Sequence, residues 1–142
     1  MPLWIQLVAA TVLIIMVTLI HGTGVVVTTK LFKQESRQLK GLKLASREFR
    51  LMVPMALCLF SLHVAEIYVF AIFYALFAHS GPFADALYIS AAAYTTLGIA
   101  DGSLDEWKLV GASEALAGFL LIGWSAAVFV TDMERILRKR ES

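Results

Sequence analysis

Three ionisable residues, His63, Glu66 and Glu114, stand in otherwise apolar stretches of the sequence. Such groups cost free energy in hydrocarbon and usually face protein or water. His63 and Glu66 are three residues apart, so on a helix they lie on one face and can share a hydrogen bond or a proton. The three ionisable residues could hold the helices together through interhelical hydrogen bonds, or they could form part of a proton or metal pathway.

A His-x-x-Glu pair on a helix is also half of a zinc site, which needs three or four ligands. No third ligand is evident in the sequence. His21 stands alone in an apolar stretch, and we expect it to be hydrogen-bonded within the protein or to lie at a membrane interface. The only cysteine, Cys58, supports neither a disulfide framework nor a thiolate metal site. We therefore expect no bound cofactor and no resident metal.

The composition indicates which kind of secondary-structure element contains these residues. The chain has 142 residues, of which 59% are hydrophobic and 16% charged, with a mean hydropathy of +0.76. Residues 3–29, 51–78 and 109–131 are apolar stretches, and each exceeds the roughly 20 residues that a helix needs to cross the hydrocarbon core. No basic residue precedes the first stretch, so it is not a cleaved signal peptide. The sequence predicts an all-α membrane protein with three transmembrane helices, and we expect it not to be an enzyme.

The basic residues predict the topology. Eleven of the twelve Lys and Arg residues lie in the segment 30–50 or after residue 131. Since short loops rich in Lys and Arg stay in the cytoplasm, we expect the N-terminus outside and the C-terminus inside. The segment 30–50 has an apolar face and a basic face. It is either an interfacial helix on anionic lipid headgroups or a solvated basic loop.

The segment between the second and third spans contains a second apolar run, residues 86–94, which is too short to cross the membrane. Gly81 and Pro82 break the preceding helix, and Asp85 suits the first turn of a new one. We expect this short helix to enter the membrane and extended backbone to follow it from Thr95 to Asp101. Non-helical backbone at that depth is tolerated only where protein buries it or water lines it. The segment therefore indicates a water-filled pathway.

These features resemble the pore domain of the potassium channel superfamily, over roughly residues 52–131. That family has an outer helix, a pore helix, a filter of the form Thr-Val-Gly-Tyr-Gly-Asp and an inner helix. By this resemblance Thr96 corresponds to the filter threonine, Leu97 to the valine, Gly98 to the first glycine, Ile99 to the tyrosine, Ala100 to the second glycine and Asp101 to the closing aspartate, with Thr95 before them.

The resemblance implies a re-entrant pore helix and selectivity-filter loop in a homotetrameric pore that passes K⁺, and also Na⁺ where selectivity is reduced, without a cofactor. It divides the chain into an extra N-terminal span (1–29), a basic amphipathic linker (30–50), a pore domain (51–131; outer helix 51–78, pore helix and filter 83–101, inner helix 107–131) and a basic tail (132–142).

The same resemblance implies a gating hinge at Gly118. It also allows His63, Glu66 or Glu114 to brace the filter or to sense pH. The expected setting is the bacterial inner membrane, with lipids but no nucleic acid as partners.

Two departures from the family pattern predict reduced selectivity. Ala100 in a left-handed conformation costs roughly 1 to 2 kcal/mol per subunit, unlike the glycine it replaces. Ile99 lacks the phenolic hydroxyl that, by the resemblance, ties the filter to the pore helices. Two other functions stay open. The protein could be a non-conducting accessory or structural protein with a vestigial filter, or a pH-dependent proton or divalent-cation pathway through the buried His and Glu residues.

Overall fold

The computed structural model of the protein describes residues 1–38, 44–78, 81–98, 104 and 106–138. Within these ranges it contains helices and no strand: α1 (Leu3–Gln38), α2 (Leu44–Phe77), α3 (Phe83–Tyr94) and α4 (Lys108–Arg138). Three segments are long and apolar enough to cross a membrane, namely Leu3–Glu35, Phe49–Phe77 and Lys108–Arg135. The predicted all-α fold with three candidate transmembrane helices is confirmed.

Helices α1 and α4 run parallel, and α2 runs antiparallel to both. At one end of the bundle the backbone N–H of Leu109 donates to Gln6 Oε1 at 3.2 Å. Toward the other end, Val25 of α1, Met55 of α2 and Met133 of α4 pack in one apolar cluster. The basic ends of the three long helices therefore lie at the same end of the bundle, as the charge pattern requires.

The basic segment 30–50 is divided differently from the prediction. Helix α1 continues to Gln38 and α2 begins at Leu44, so most of this segment extends the flanking spans instead of forming a separate interfacial helix. The physical reason is the helix propensity of the local sequence. Lys, Arg, Gln and Leu are good helix formers, and no Gly or Pro interrupts residues 30–38. Residues 39–43, between the two helices, lie outside the described ranges.

Helix α3 is the short element that the sequence predicted after the Gly-Pro break. Gly81 has a φ of +79°, which glycine adopts without penalty, and Pro82 stands at the N-cap. Asp85 lies in the first turn, as expected. With 12 residues the helix is about 18 Å long, too short to span the hydrocarbon core. It packs against both α2 and α4.

The end of α3 corrects the expectation of extended backbone. The N–H of Leu97 donates to the carbonyl oxygen of Ala92, and that of Thr96 donates to Ala93, both at 2.9 Å. Thr96 has a φ of 59°, in the left-handed region. These are the features of a Schellman motif, which satisfies the last carbonyls of a helix by turning the chain back. Ile99, Ala100 and Asp101, the rest of the predicted filter, lie outside the described residues.

Gly118 allows the closest approach between α4 and α3. A Cβ atom at this position would lie 2.2 Å from the carbonyl oxygen of Tyr94 and 2.9 Å from its carbonyl carbon. Because backbone atoms cannot turn aside as a flexible side chain can, only glycine fits here. The predicted hinge at Gly118 stays a prediction, and this close contact gives the glycine a packing role of its own.

We expect Gly118→Ala to lower the apparent melting temperature of the purified protein in detergent. Overpacking of this kind costs about 1–3 kcal/mol, because the helices must separate to admit the methyl group. Gly123→Ala is the matched control, since a Cβ there meets no atom within 4 Å. Equal melting temperatures for the two variants would contradict the close contact.

Candidate functional site

A buried polar layer crosses the bundle between two apolar clusters. One cluster includes Val17, Phe70 and Leu121, and the other includes Val25, Leu59 and Met133. Between them each long helix contributes a buried polar residue to the layer: His21 on α1, Glu66 on α2 and Ser125 on α4. The layer is therefore formed by three helices that each contribute a group at the same depth.

Glu66 is the centre of this layer. Its Oε1 lies 2.8 Å from His21 Nδ1, and its Oε2 accepts a hydrogen bond from the hydroxyl of Tyr94, at the end of α3. His63 Nδ1 lies 2.8 Å from the same tyrosine oxygen and 3.4 Å from Glu66 Oε2. Ser125 Oγ lies 3.4 Å from His21 Nε2. One carboxylate thus joins α1, α2 and α3, and His21 extends the network to α4.

Counting protons assigns the charge of this network. The imidazoles of His21 and His63 supply one N–H each when neutral, and the hydroxyls of Tyr94 and Ser125 supply one O–H each. Burial and the hydrogen bond to Glu66 raise the pKa of Tyr94 above its ordinary value, so its hydroxyl keeps its proton. With both imidazoles neutral, these four protons fill the contacts His21–Glu66, Tyr94–Glu66, His63–Tyr94 and Ser125–His21. Glu66 is then an ionised acceptor and needs no proton of its own.

Glu114 on α4 forms a second buried group with a different proton count. Its Oε2 lies 2.5 Å from the hydroxyl oxygen of Tyr74, and its Oε1 lies 2.6 Å from Ser90 Oγ on α3. Ser90 Oγ is also 2.8 Å from the carbonyl oxygen of Ile67, which can only accept. Three oxygen-to-oxygen contacts need three protons, and the two hydroxyls supply only two. The third proton belongs to Glu114, which is therefore a neutral carboxylic acid that donates to Ser90.

Sequence reasoning identified part of this site. It placed His63 and Glu66 within reach of each other, which the 3.4 Å contact confirms, and it named Glu114. It missed His21, taken as a lone histidine, and the tyrosine partners Tyr74 and Tyr94. A signal was present, since a histidine within an apolar span already has to face a polar partner. What the sequence lacked was the register that brings His21 opposite Glu66.

His21 also supplies the third ligand that the sequence did not reveal. One ligand atom from each of His21, His63 and Glu66 lies within 4.8 Å of the others. Two imidazoles and a carboxylate are suitable ligands for Zn²⁺. In the described arrangement these atoms hydrogen-bond to one another and to Tyr94, so a metal ion would have to replace those hydrogen bonds. The group can hold a proton or a cation.

The predicted filter residues that the structure describes lie apart from this layer, on the surface of the chain. Thr95, Thr96, Leu97 and Gly98 are all exposed, and Leu97 exposes 76% of its surface. Beside the two threonines is an open hollow of about 410 Å³, whose other wall is the segment Phe119 to Gly123 of α4. The end of α3 thus presents hydroxyls and backbone to a space outside the three-helix core.

Comparison with protein-family models, with curated proteins and with solved structures finds no match for this chain. The fold defines its class as an all-helical protein with three helices able to span a membrane. Any more specific function has to be argued from the site itself.

The two glutamates should respond oppositely to amide substitution. In Glu114→Gln the amide N–H replaces the proton donated to Ser90 and the amide oxygen still accepts from Tyr74, so we expect an almost unchanged melting temperature. In Glu66→Gln an uncharged amide replaces a charged acceptor of two hydrogen bonds, and His21 and Ser125 must exchange their donor and acceptor roles to suit its N–H, so we expect a loss of about 1–3 kcal/mol.

Infrared spectroscopy gives a second measurement on the same two variants. The C=O stretch of a protonated carboxylic acid should disappear in Glu114→Gln and persist in Glu66→Gln. Loss of the band in Glu66→Gln alone, or equal destabilisation of the two variants, would show that the proton count is wrong.

Proposed function

We propose that the protein is the subunit of a potassium-channel-like pore that passes monovalent cations passively across a membrane. Four copies would surround one axis, with α3 as a re-entrant pore helix and the segment Thr95 to Asp101 as the filter. The N-terminus would lie outside and the basic ends of the helices in the cytoplasm.

One observation carries this proposal: a helix too short to span is fixed between two spanning helices and exposes threonines at its carboxyl end. Ser90 and Tyr94 of α3 hydrogen-bond to Glu114 of α4 and Glu66 of α2, respectively. An isolated helix of 12 residues is marginal in stability, so these buried contacts are what hold it. A rigidly held helix can present its end reproducibly to an ion.

The electrostatics of α3 support a cation as the permeant species. The carboxyl end of a helix carries a partial negative charge, and this end is the one exposed beside the open hollow. Threonine hydroxyls and backbone carbonyls are the groups that replace the hydration shell of a cation in a filter. The bracing role considered for Glu66 and Glu114 agrees with their hydrogen bonds to α3.

The proposal is tested by ion flux into liposomes that contain the purified protein. We expect K⁺ flux together with substantial Na⁺ flux, because Ile99 and Ala100 replace the residues that keep the outer filter narrow in the family. Thr96→Ala should reduce both fluxes at least about tenfold, since it removes a ring of ion ligands. Thr11→Ala is the control, an exposed threonine whose hydroxyl bonds only to its own helix.

The mass of the detergent-solubilised assembly should correspond to four chains. A stable monomer with no flux of either ion would contradict the proposal and favour an accessory or structural role. Strong preference for K⁺ over Na⁺ would leave the pore in place but would refute the reduced selectivity.

A second candidate function is a pH-dependent pathway for protons or divalent cations, and the position of His21 favours it. His21, His63, Glu66 and Tyr94 form a continuous chain of hydrogen bonds. The side chain of His63 is 14% exposed, so it is the member of this hydrogen-bonded chain that reaches the surface of the subunit.

Under this second proposal, liposomes loaded with a pH-sensitive dye should show proton uptake that His63→Gln abolishes. The control is Ser61→Ala, an exposed residue of the same helix whose hydroxyl bonds to Leu57 of its own helix. Equal proton uptake by His63→Gln and the wild type would exclude the pathway, whatever the K⁺ flux.

A further inference from the structure

A cleft separates α1 and α4 near the ends of their spans, away from the polar layer's centre. Its volume is about 520 Å³, and it is open on one side. Its apolar lining includes Val25, Val26 and Val128, and its basic lining consists of Lys30, Lys33 and Arg135. Along both helices the valines lie nearer the middle of the span, and the basic residues form a rim nearer its end. An apolar wall that ends in a basic rim matches a molecule that has an acyl chain and an anionic group.

Asp132 adds a negative charge to the same cleft. This residue lines the cleft and is only 6% exposed. Its Oδ1 lies 3.7 Å from a guanidinium nitrogen of Arg135, and its Oδ2 is buried without a hydrogen-bond partner among the described residues. A buried carboxylate oxygen that lacks a donor is costly. The carboxylate borders the cleft and its terminal torsion is soft, so a donor placed in the cleft can reach it.

We propose that this cleft binds a phospholipid with a primary ammonium in its headgroup, as in phosphatidylethanolamine. The lipid phosphate accepts hydrogen bonds from Lys30 and Lys33, the ammonium donates to Asp132, and one acyl chain lies along the apolar wall toward Trp124. The cleft lies near the ends of the spans Leu3–Glu35 and Lys108–Arg135, at the depth where headgroups meet the helices.

The charges select this headgroup over other common ones. Three basic side chains and one carboxylate leave a net positive rim, which attracts a phosphate. Phosphatidylcholine offers the same phosphate, but its quaternary ammonium has no N–H to donate. Phosphatidylglycerol offers a phosphate without any cation for Asp132. Only a headgroup with both charges and free N–H donors satisfies every group in the cleft.

The experiment is native mass spectrometry of the full chain in detergent, titrated separately with phosphatidylethanolamine, phosphatidylcholine and phosphatidylglycerol of identical acyl chains. Wild type should bind phosphatidylethanolamine about tenfold more tightly than phosphatidylcholine, the factor expected for one hydrogen bond to a charged group. Asp132→Asn should lose this preference. Glu134→Gln, an exposed carboxylate on the same helix that does not line the cleft, should keep it.

The lysines are tested with the same lipids. Lys33→Gln should weaken phosphatidylethanolamine and phosphatidylglycerol alike by about fivefold, corresponding to about 1 kcal/mol per charge near a lipid surface. Arg50→Gln, at the same end of the bundle but outside the cleft, should not. The proposal is overturned if wild type binds phosphatidylethanolamine and phosphatidylcholine equally, or if Asp132→Asn keeps the preference.

Discussion

The arrangement of the bundle depends on the pairing of one buried carboxylate, that of Glu66. An ionised group in an apolar span must find partners, because hydrocarbon offers none. Its partners come from two other helices, His21 on α1 and Tyr94 on α3. A shift of either helix by one turn would leave this carboxylate buried without its donors, which is costly. A carboxylate with two directed hydrogen bonds permits only one register, so the positions of α1 and α3 follow from it.

Helix α3 depends on hydrogen bonds to buried carboxylates more than the long helices do. Its 12 residues cannot span a bilayer and give it little stability on its own. Glu114 holds its middle through Ser90, Glu66 holds its last residue, and Gly118 lets α4 pack directly against that end. Three attachments on two neighbouring helices fix both the position and the rotation of α3. The Schellman turn leaves Thr95 to Gly98 exposed at the surface of the chain.

The sequence predicts the large features of this fold and misses the specific contacts for a physical reason. Long apolar stretches determine the spans, and Gly81 with Pro82 determines where α3 begins, since both signals are local. Residues 30–38 continue α1 because no residue there breaks a helix, although the polarity of the sequence changes at Lys30. His21 opposite Glu66 is a different case. Their distance depends on how α1 rotates against α2, which no periodicity within one span reveals.

The two glutamates differ in charge, and that difference bears on the proposed pore. Neutral Glu114 supports α3 without adding net charge. Ionised Glu66 is hydrogen-bonded to Tyr94, the last residue of α3, so its negative charge adds to the negative end of the helix dipole. Four such charges around an axis would strengthen the attraction for a cation. The layer that fixes the helices therefore also contributes to the electric field at the end of α3.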